Sequence, residues 1–200
     1  EFYFHPSLKQ CEEDYTKSKE DKEKQKKSDQ EKTAIVEDEN ETKSNKYRDP
    51  ARRRHHLVAM AKTSKGLQNL FSLVSRSYRD GFYYFPRIDF EMLKQFGEDV
   101  ILSTACIGSF PAFLTFNKFP NKNVDELVPE LLDADINIKN QIILELENMI
   151  DRFVDCVGKD NFYLELQFNK LPAQHLSNKA LMEVAKKTGT NLVSTCDFHY

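Results

Sequence analysis

The sequence predicts an α/β fold in which strands and helices alternate along the chain. Short apolar segments rich in β-branched and aromatic residues occur at 56–61, 100–103, 162–167 and 192–195. Between them lie longer segments in which apolar residues recur every three to four positions, the period of an amphipathic helix. Such an alternation is typical of a parallel α/β layer or barrel and argues against an all-α or all-β domain.

The composition is that of one globular domain. The chain has 200 residues, a net charge of −3 and 40% hydrophobic residues, which suffice for one substantial core. No run of about 18 apolar residues is present that could span a membrane, and the near-neutral charge gives no global reason to expect a nucleic-acid partner. The four cysteines are widely spaced, which argues against a disulfide framework or a zinc ribbon. We expect reduced thiols and a cytoplasmic protein.

The first quarter of the chain divides into a strand end and a charged insertion. Residues 1–4 alternate a charge with aromatic residues and predict the end of a strand, so Glu1 is expected to be internal to a longer protein. Residues 11–50 interleave Lys and Glu with few apolar residues, which predicts an insertion that is flexible or helical on the surface. The basic run at 52–54 either contacts phosphate or is a solvated charge run.

The middle of the chain predicts a strand and two helices. Residues 56–61 form the strand, and 66–78 form a helix with Leu67, Leu70, Phe71, Val74 and Tyr78 at helical spacing. The aromatic residues 81–86 form a loop. Asp89 then caps a short helix that extends through residue 96, because its side-chain oxygen can accept from N–H groups of the first turn.

The second half continues the alternation. The strand at 100–103 leads to Cys106, a helix begins near Ser109, and 124–157 form one or two amphipathic helices. The strand at 162–167, a helix at 173–188 and a last strand at 192–195 complete the fold. Gly189 is the helix-terminating residue, because glycine adopts positive φ without strain.

The last strand ends in a candidate metal-binding pair. Asp197 and His199 are two residues apart, so they would project to the same side of an extended chain. A carboxylate and an imidazole can bind zinc or manganese, although a solvated strand end has the same pattern. Cys106 also follows the carboxyl end of a strand, which is where the catalytic residues of such barrels lie. Taken alone, a cysteine such as Cys106 is usually a small buried hydrophobe.

Several ordered motifs then carry a family resemblance. They are residues 55–89 (HHLVAMAKTSKGLQNLFSLVSRSYRDGFYYFPRID), 100–108 (VILSTACIG), 161–174 (NFYLELQFNKLPAQ) and 191–200 (NLVSTCDFHY), together with the opening EFYF. These segments resemble the PHP (polymerase and histidinol phosphatase) domain of bacterial-type C-family replicative DNA polymerases, the alpha subunits of polymerase III. The resemblance implies a PHP-type distorted (β/α) barrel, only part of which is present. The insertion at about 11–50 and a helical insertion at about 119–150 lie outside it.

The resemblance also implies a metal cluster and maps part of its ligand set onto this chain. The matching positions are Glu1, His56, Cys106, Asp197 and His199. The other ligands, an upstream His-x-His, an Asp and a His, would precede Glu1. Zinc suits these mixed ligands best, with manganese or iron(II) as alternatives. One departure from the family lies beside the site, where Thr104 and Ala105 replace the common Gly before the cysteine.

Three points about the implied site stay open at this stage. His56 begins its strand, so it reaches the site only if the strands of Glu1 and His56 pair as an antiparallel hairpin with the charged insertion at its tip. His55 is the alternative ligand, disfavoured because the family histidine directly precedes the Leu. Glu165 either orients a ligand or faces solvent.

The functional expectation is a fragment of a DNA-directed DNA polymerase that carries a metal-dependent phosphoesterase domain with 3′-5′ proofreading exonuclease activity. The alternatives are an inactive structural module that stabilises the polymerase and docks partner subunits, or a free-standing PHP phosphatase. The resemblance implies primer-template DNA, the sliding clamp and other replisome subunits as partners. The polymerase carboxylates and their Mg²⁺ would lie beyond Tyr200. The expected location is the cytoplasm of a bacterial cell, or of a bacterial host if the protein is viral.

Overall fold

A computed structural model describes residues 1–29 and 53–196 and confirms the mixed α/β class, consistent with a partial PHP-type barrel. The described residues form a six-stranded sheet, with strands β1 (Phe2–Phe4), β2 (His55–Ala61), β3 (Arg87–Ile88), β4 (Val100–Ser103), β5 (Phe162–Gln167) and β6 (Asn191–Thr195). The helices described are α1 (Leu8–Asp29), α2 (Ser64–Arg79), α3 (Phe90–Phe96), α4 (Phe110–Phe116), α5 (Leu131–Ala134), α6 (Ile136–Val157) and α7 (Pro172–Thr188).

The sheet has the strand order β3-β1-β2-β4-β5-β6 and is not wholly parallel. Strand β2 runs antiparallel to both of its neighbours, β1 and β4, whereas the other adjacent pairs are parallel. The antiparallel pairing of β1 and β2 confirms the hairpin hypothesis for Glu1 and His56. The sheet is therefore mixed, because the hairpin reverses β2 among strands that otherwise pair in parallel.

Local capping signals in the sequence place the helix ends correctly. The Asp89 carboxylate accepts from the backbone N–H of Met92 at 3.0 Å and begins α3. The Ser109 hydroxyl accepts from the N–H of Ala112 at 3.4 Å and begins α4. Gly189 ends α7 with φ of 67°, in the left-handed region that glycine adopts at low cost.

The two faces of the sheet differ in character because successive side chains on a strand point to opposite sides. We call one side the helix-covered face, because its side chains pack against helices α3 and α6. Phe4 on β1 and Phe162 on β5 belong to it and pack against Phe153 of α6, with ring centroids 5.1 and 4.9 Å from that ring. Phe90 of α3 adds a further contact at 4.7 Å. These rings are the centre of the hydrophobic core.

We call the opposite side of the sheet the polar face. The register pairs Tyr3 of β1 with His56 of β2, so these side chains share one face. Further along the sheet the same face carries Ser103, Glu165, Gln167 and Thr195, at or near the carboxyl ends of β4, β5 and β6. The candidate ligand His56 is therefore on the side of the sheet that faces away from the aromatic core.

Helix α2 has an unexpected orientation. The predicted helix is present, but four of the five apolar side chains that indicated it are exposed, including Phe71 at 63% and Tyr78 at 61%, whereas Leu70 is partly buried. Its buried side carries Gly66, Asn69, Leu73 and Ser77. A Cβ on Gly66 would lie 2.1 Å from the Asp99 carbonyl oxygen, so the backbones approach closely there. Asn69 Nδ2 donates to the Glu98 carbonyl at 2.8 Å, and these contacts fix which side of α2 faces the sheet.

The proposed insertions are partly described. Residues 11–29 of the charged segment belong to α1, and 30–50 lie outside the described residues. Residues 119–150 contain α5, the start of α6 and a short 3₁₀ turn at Val124–Glu126. The domain boundaries themselves stay a prediction. No helix among the described residues is long and apolar enough to cross a membrane.

Candidate metal-binding site

Three of the predicted ligands come together at one end of the polar face. The Glu1 carboxylate oxygen Oε1 lies 2.5 Å from His56 Nδ1, and Cys106 Sγ lies 3.6 Å from the same nitrogen. The His56 side chain is 35% exposed and that of Glu1 is 51% exposed, so the group is open to solvent. An oxygen, a nitrogen and a sulfur donor therefore converge on one accessible point.

The turn after β4 fits closely around His56. The His56 backbone N–H donates to the Gly108 carbonyl at 3.0 Å, and the Gly108 N–H donates to Cys106 Sγ at 3.4 Å. A Cβ on Gly108 would lie 3.2 Å from His56 Cδ2, so glycine lets the turn pack against the imidazole ring. Ala105 adopts φ of 58°, a left-handed conformation that glycine adopts more readily than alanine.

Asp197 and His199 lie outside the described residues, so their part in the cluster stays a prediction. The strand that leads to them is described as far as Thr195 on β6 and Cys196. The Thr195 hydroxyl donates to Glu165 Oε1 at 2.5 Å. The end of β6 is thus attached by its side chain to β5.

Glu165 is buried, which rules out the second of its two alternatives, that it faces solvent. It is 5% exposed, and its carboxylate accepts from the hydroxyls of Ser103 and Thr195 and, at 3.1 Å, from Gln167 Nε2. Sequence periodicity placed Glu165 on a strand but did not indicate that the side of β5 that carries Glu165 is buried as well as the side that packs against the helices. The contacts join the carboxyl ends of β4, β5 and β6, the first and last of which lead to Cys106 and Asp197.

His55 lies on the helix-covered face, on the opposite side of β2 from His56. It is 4% exposed and its ring contacts Phe110 and Phe113, with centroid distances of 5.1 and 4.9 Å. Burial lowers the pKa of His55 to about 3, with smaller contributions from nearby positive charge, including Arg53. The structure brings His56, and not His55, next to Glu1 and Cys106.

The described residues fit part of a metal site. Glu, His and Cys donors in one group suit zinc, which accepts oxygen, nitrogen and sulfur ligands. Both Glu1 and Cys106 approach the same atom, His56 Nδ1. Within residues 1–29 and 53–196, no group of three or more His, Cys, Asp or Glu side chains is arranged to hold a metal ion by itself. Further ligands would be needed to complete a coordination sphere.

Two aromatic residues near the site were missed by sequence reasoning. The Tyr3 ring lies 5.4 Å from the His56 ring and 5.4 Å from the Phe85 ring, between centroids. The Arg54 guanidinium lies 3.8 Å from the Phe85 centroid and 5.0 Å from that of Tyr3. Arg54 belongs to the basic run that was expected to contact phosphate or be solvated, and it is exposed yet stacked on these rings. The sequence signals for this stacking were the aromatic residues in the alternating pattern at 1–4 and in the loop at 81–86, and neither indicated that they meet.

Comparison with known proteins places the chain in a family. The PHP domain family matches residues 10–169, a range that includes His56 and Cys106. DNA polymerase III subunit alpha of Aquifex aeolicus is 38% identical over 146 residues, which is 73% of this chain and 10% of that protein. The corresponding subunit of Borreliella burgdorferi is 35% identical over 73% of this chain and 11% of its own length. That of Thermus aquaticus is 33% identical over 72% of this chain and 10% of its own length. The chain thus spans about a tenth of the length of these relatives. It belongs to the PHP domain family and is homologous over 73% of its length to DNA polymerase III alpha subunits.

Proposed function

We propose that this chain is the PHP portion of a replicative DNA polymerase alpha subunit and that it hydrolyses phosphodiester bonds as a metal-dependent, 3′-5′ proofreading exonuclease. The observation that carries the proposal is the convergence of Glu1 Oε1 and Cys106 Sγ on His56 Nδ1 at the solvent-open end of the polar face. Homology to polymerase III alpha subunits supports the identity of the parent protein. Its polymerase activity, with Mg²⁺, would reside outside this chain.

Zinc is the ion we propose for the site, with manganese or iron(II) as alternatives, held by Glu1, His56 and Cys106 and completed by Asp197 and His199. Such ions supply the positive charge that stabilises the negative charge developing on a reacting phosphate. The chain itself contributes the positions of its donors. The Gly108 N–H orients the Cys106 sulfur, and the Gly108 carbonyl holds the backbone of His56.

A structural role is the second candidate function. It is favoured by the finding that, among the described residues, no group of three or more His, Cys, Asp or Glu side chains is arranged to hold a metal ion by itself. In that case the domain would stabilise the polymerase and dock other replisome subunits, such as the sliding clamp, in the cytoplasm. A free-standing phosphatase is less well supported, because the relatives named above are polymerase subunits.

Metal analysis and a primer-degradation assay on the full-length protein separate these functions. We expect the wild type to bind zinc, and His56→Ala, Cys106→Ala, Asp197→Ala and His199→Ala each to lower zinc affinity by at least about tenfold and to slow removal of primer 3′ nucleotides. Cys156→Ala is the matched control. Its thiol lies on α6 and donates to the Phe90 carbonyl at 3.7 Å, and burial raises its pKa to about 11.

The outcome for the wild type decides between the two candidate functions. A wild-type protein that bound no transition metal and degraded no primer would overturn the hydrolytic proposal and leave the structural one. Loss of metal in Cys156→Ala to the same extent as in Cys106→Ala would show that the effect is one of general stability.

A further inference from the structure

A stacked cluster of one arginine and two aromatic rings lies directly beside the candidate metal-binding site. Arg54 stacks on Phe85 at 3.8 Å and on Tyr3 at 5.0 Å, and the Tyr3 ring contacts the His56 ring at 5.4 Å. We call Arg54, Phe85 and Tyr3 the stacking cluster. Ring contacts thus connect His56 through Tyr3 to Phe85 in the aromatic loop.

A second arginine that stacks on an aromatic ring, Arg152, provides a comparison in which the ring belongs to the hydrophobic core. Arg152 lies over Phe90 at the same distance, 3.8 Å. Phe90 is 6% exposed and packs against Phe4 and Phe153 in the core, so Arg152 covers a ring that is already buried. Phe85, in contrast, is 37% exposed although Arg54 stacks on it. Burial of the ring therefore does not account for the Arg54 pair.

The chemistry of the stacking cluster matches a nucleotide. A guanidinium binds phosphate oxygens through paired N–H donors and can do so while its flat face remains on an aromatic ring. Exposed aromatic rings stack on unpaired bases with little regard to sequence, and positive charge next to them follows the phosphate backbone. Arg54 can therefore bind a phosphate while the adjacent, partly exposed ring of Phe85 stacks on a base.

We propose that the stacking cluster binds the nucleotide adjacent to the phosphodiester bond that reacts at Glu1, His56 and Cys106. Arg54 binds the neighbouring phosphate, Phe85 stacks on an unpaired base, and Tyr3 connects this subsite to His56. The inference rests on the proposed hydrolytic function and adds to it a preference for single-stranded nucleic acid. A substrate with one phosphodiester group and no second phosphate would lack the contact with Arg54.

The first test compares two substrates of the full-length protein. For an oligothymidylate, Arg54→Ala is expected to raise KM by about tenfold or more, the effect of losing one hydrogen bond to a charged group. Hydrolysis of bis(p-nitrophenyl) phosphate, which has no neighbouring phosphate, is expected to stay unchanged. Arg54→Lys keeps the charge but loses the flat stacked guanidinium, so it should give an intermediate KM for the oligonucleotide. Arg152→Ala is the matched control and should alter neither substrate.

The second test measures oligonucleotide binding by photocrosslinking, with EDTA present to prevent metal-dependent hydrolysis. An oligothymidylate that carries 4-thiothymidine at its 3′ end is irradiated with the full-length protein in EDTA, and the crosslinked peptides are identified by mass spectrometry. We expect a crosslink to the peptide that contains Phe85 or Tyr3, reduced several-fold by Arg54→Ala and unaffected by Arg152→Ala. This readout distinguishes the subsite from other DNA-binding regions of a long polymerase.

The outcomes separate this inference from the proposed function. A crosslink at Phe85 or Tyr3 without any hydrolysis would support the subsite and overturn the hydrolytic function. Hydrolysis without a crosslink at the stacking cluster would overturn the subsite alone. An equal loss of activity on both substrates in Arg54→Ala would also overturn it, because a general structural effect would then explain the result.

Discussion

The two faces of this sheet use the same strands for different purposes, as the adjacent residues His55 and His56 illustrate. His55 lies among aromatic rings on the helix-covered face and is 4% exposed, whereas His56 contacts Glu1 and Cys106 on the polar face and its side chain is 35% exposed. The backbone separates their environments within one residue. Stability and chemistry can therefore be altered independently by substitutions at neighbouring positions.

The contacts on the two faces also differ in kind. On the helix-covered face, packed rings exclude water and contribute mainly through burial of apolar area. On the polar face, Glu165 joins strands through directional hydrogen bonds, which fix positions more than they add stability. Substitutions on the first face should chiefly lower the free energy of unfolding, and those on the second should chiefly disturb the site.

The largest expected effect is that of Phe153→Ala on the helix-covered face. Phe153 is fully buried and its ring contacts those of Phe4, Phe90 and Phe162. Its truncation should lower the free energy of unfolding by about 3 to 5 kcal/mol, measured by urea denaturation. Phe71→Ala, at a ring that is 63% exposed, is the control and should change it by less than about 0.5 kcal/mol. Similar losses in both variants would contradict the division into a core and an exposed helix side.

Glu165→Gln should have a smaller effect on stability and a selective effect on the site. The amide group would place N–H donors against the hydroxyl of Ser103 or Thr195, which donate to the native carboxylate. We expect a loss of about 1 to 3 kcal/mol in urea denaturation, together with weaker zinc binding. Glu147→Gln, which removes a surface ion pair with Lys187, is the control. Unchanged zinc affinity in Glu165→Gln would show that Glu165 does not position the ligands.

Two buried histidines, His5 and His55, should make the fold sensitive to mild acid. Burial lowers the pKa of His5 to about 4 and that of His55 to about 3, from an ordinary value of 6.5. Below about pH 6.5 the unfolded chain takes up protons that the folded chain does not, so stability should fall as the pH decreases towards about 4. Urea denaturation between about pH 7 and about pH 5 measures this slope. In His5→Gln the slope should be shallower, and an unchanged slope would show that His5 is not one of the groups responsible.

The smallest expected effect is a gain in stability from Ala105→Gly at the rim of the polar face. Ala105 adopts φ of 58°, which strains any residue with a Cβ, whereas glycine adopts it freely. The relief is partly offset by the larger conformational entropy of glycine in the unfolded chain, so the net gain should be about 0.5 to 1 kcal/mol. Thermal unfolding checks the gain, and zinc titration checks that Cys106 keeps its position. A loss of stability would contradict the strain at this turn.

The sequence by itself determined the features that depend on short stretches of chain. Asp89, Ser109 and Gly189 act through hydrogen bonds or dihedral angles of their own turn, so their roles at helix ends could be predicted from neighbouring residues. Apart from the two-residue strand β3, the strand segments followed from local residue type, and Glu1, His56 and Cys106 were proposed as ligands from the resemblance of ordered motifs.

Only the tertiary structure decided which residues meet across the sheet. The burial of Glu165 and the outward side of α2 depend on partners far away in sequence, such as Ser103 for Glu165 and Asp99 for Gly66. The same holds for Arg54, which reaches Phe85 because β1, β2 and the aromatic loop converge. Local patterns specify the conformation of a segment, but the choice of face depends on close packing between segments, which one stretch of sequence does not encode.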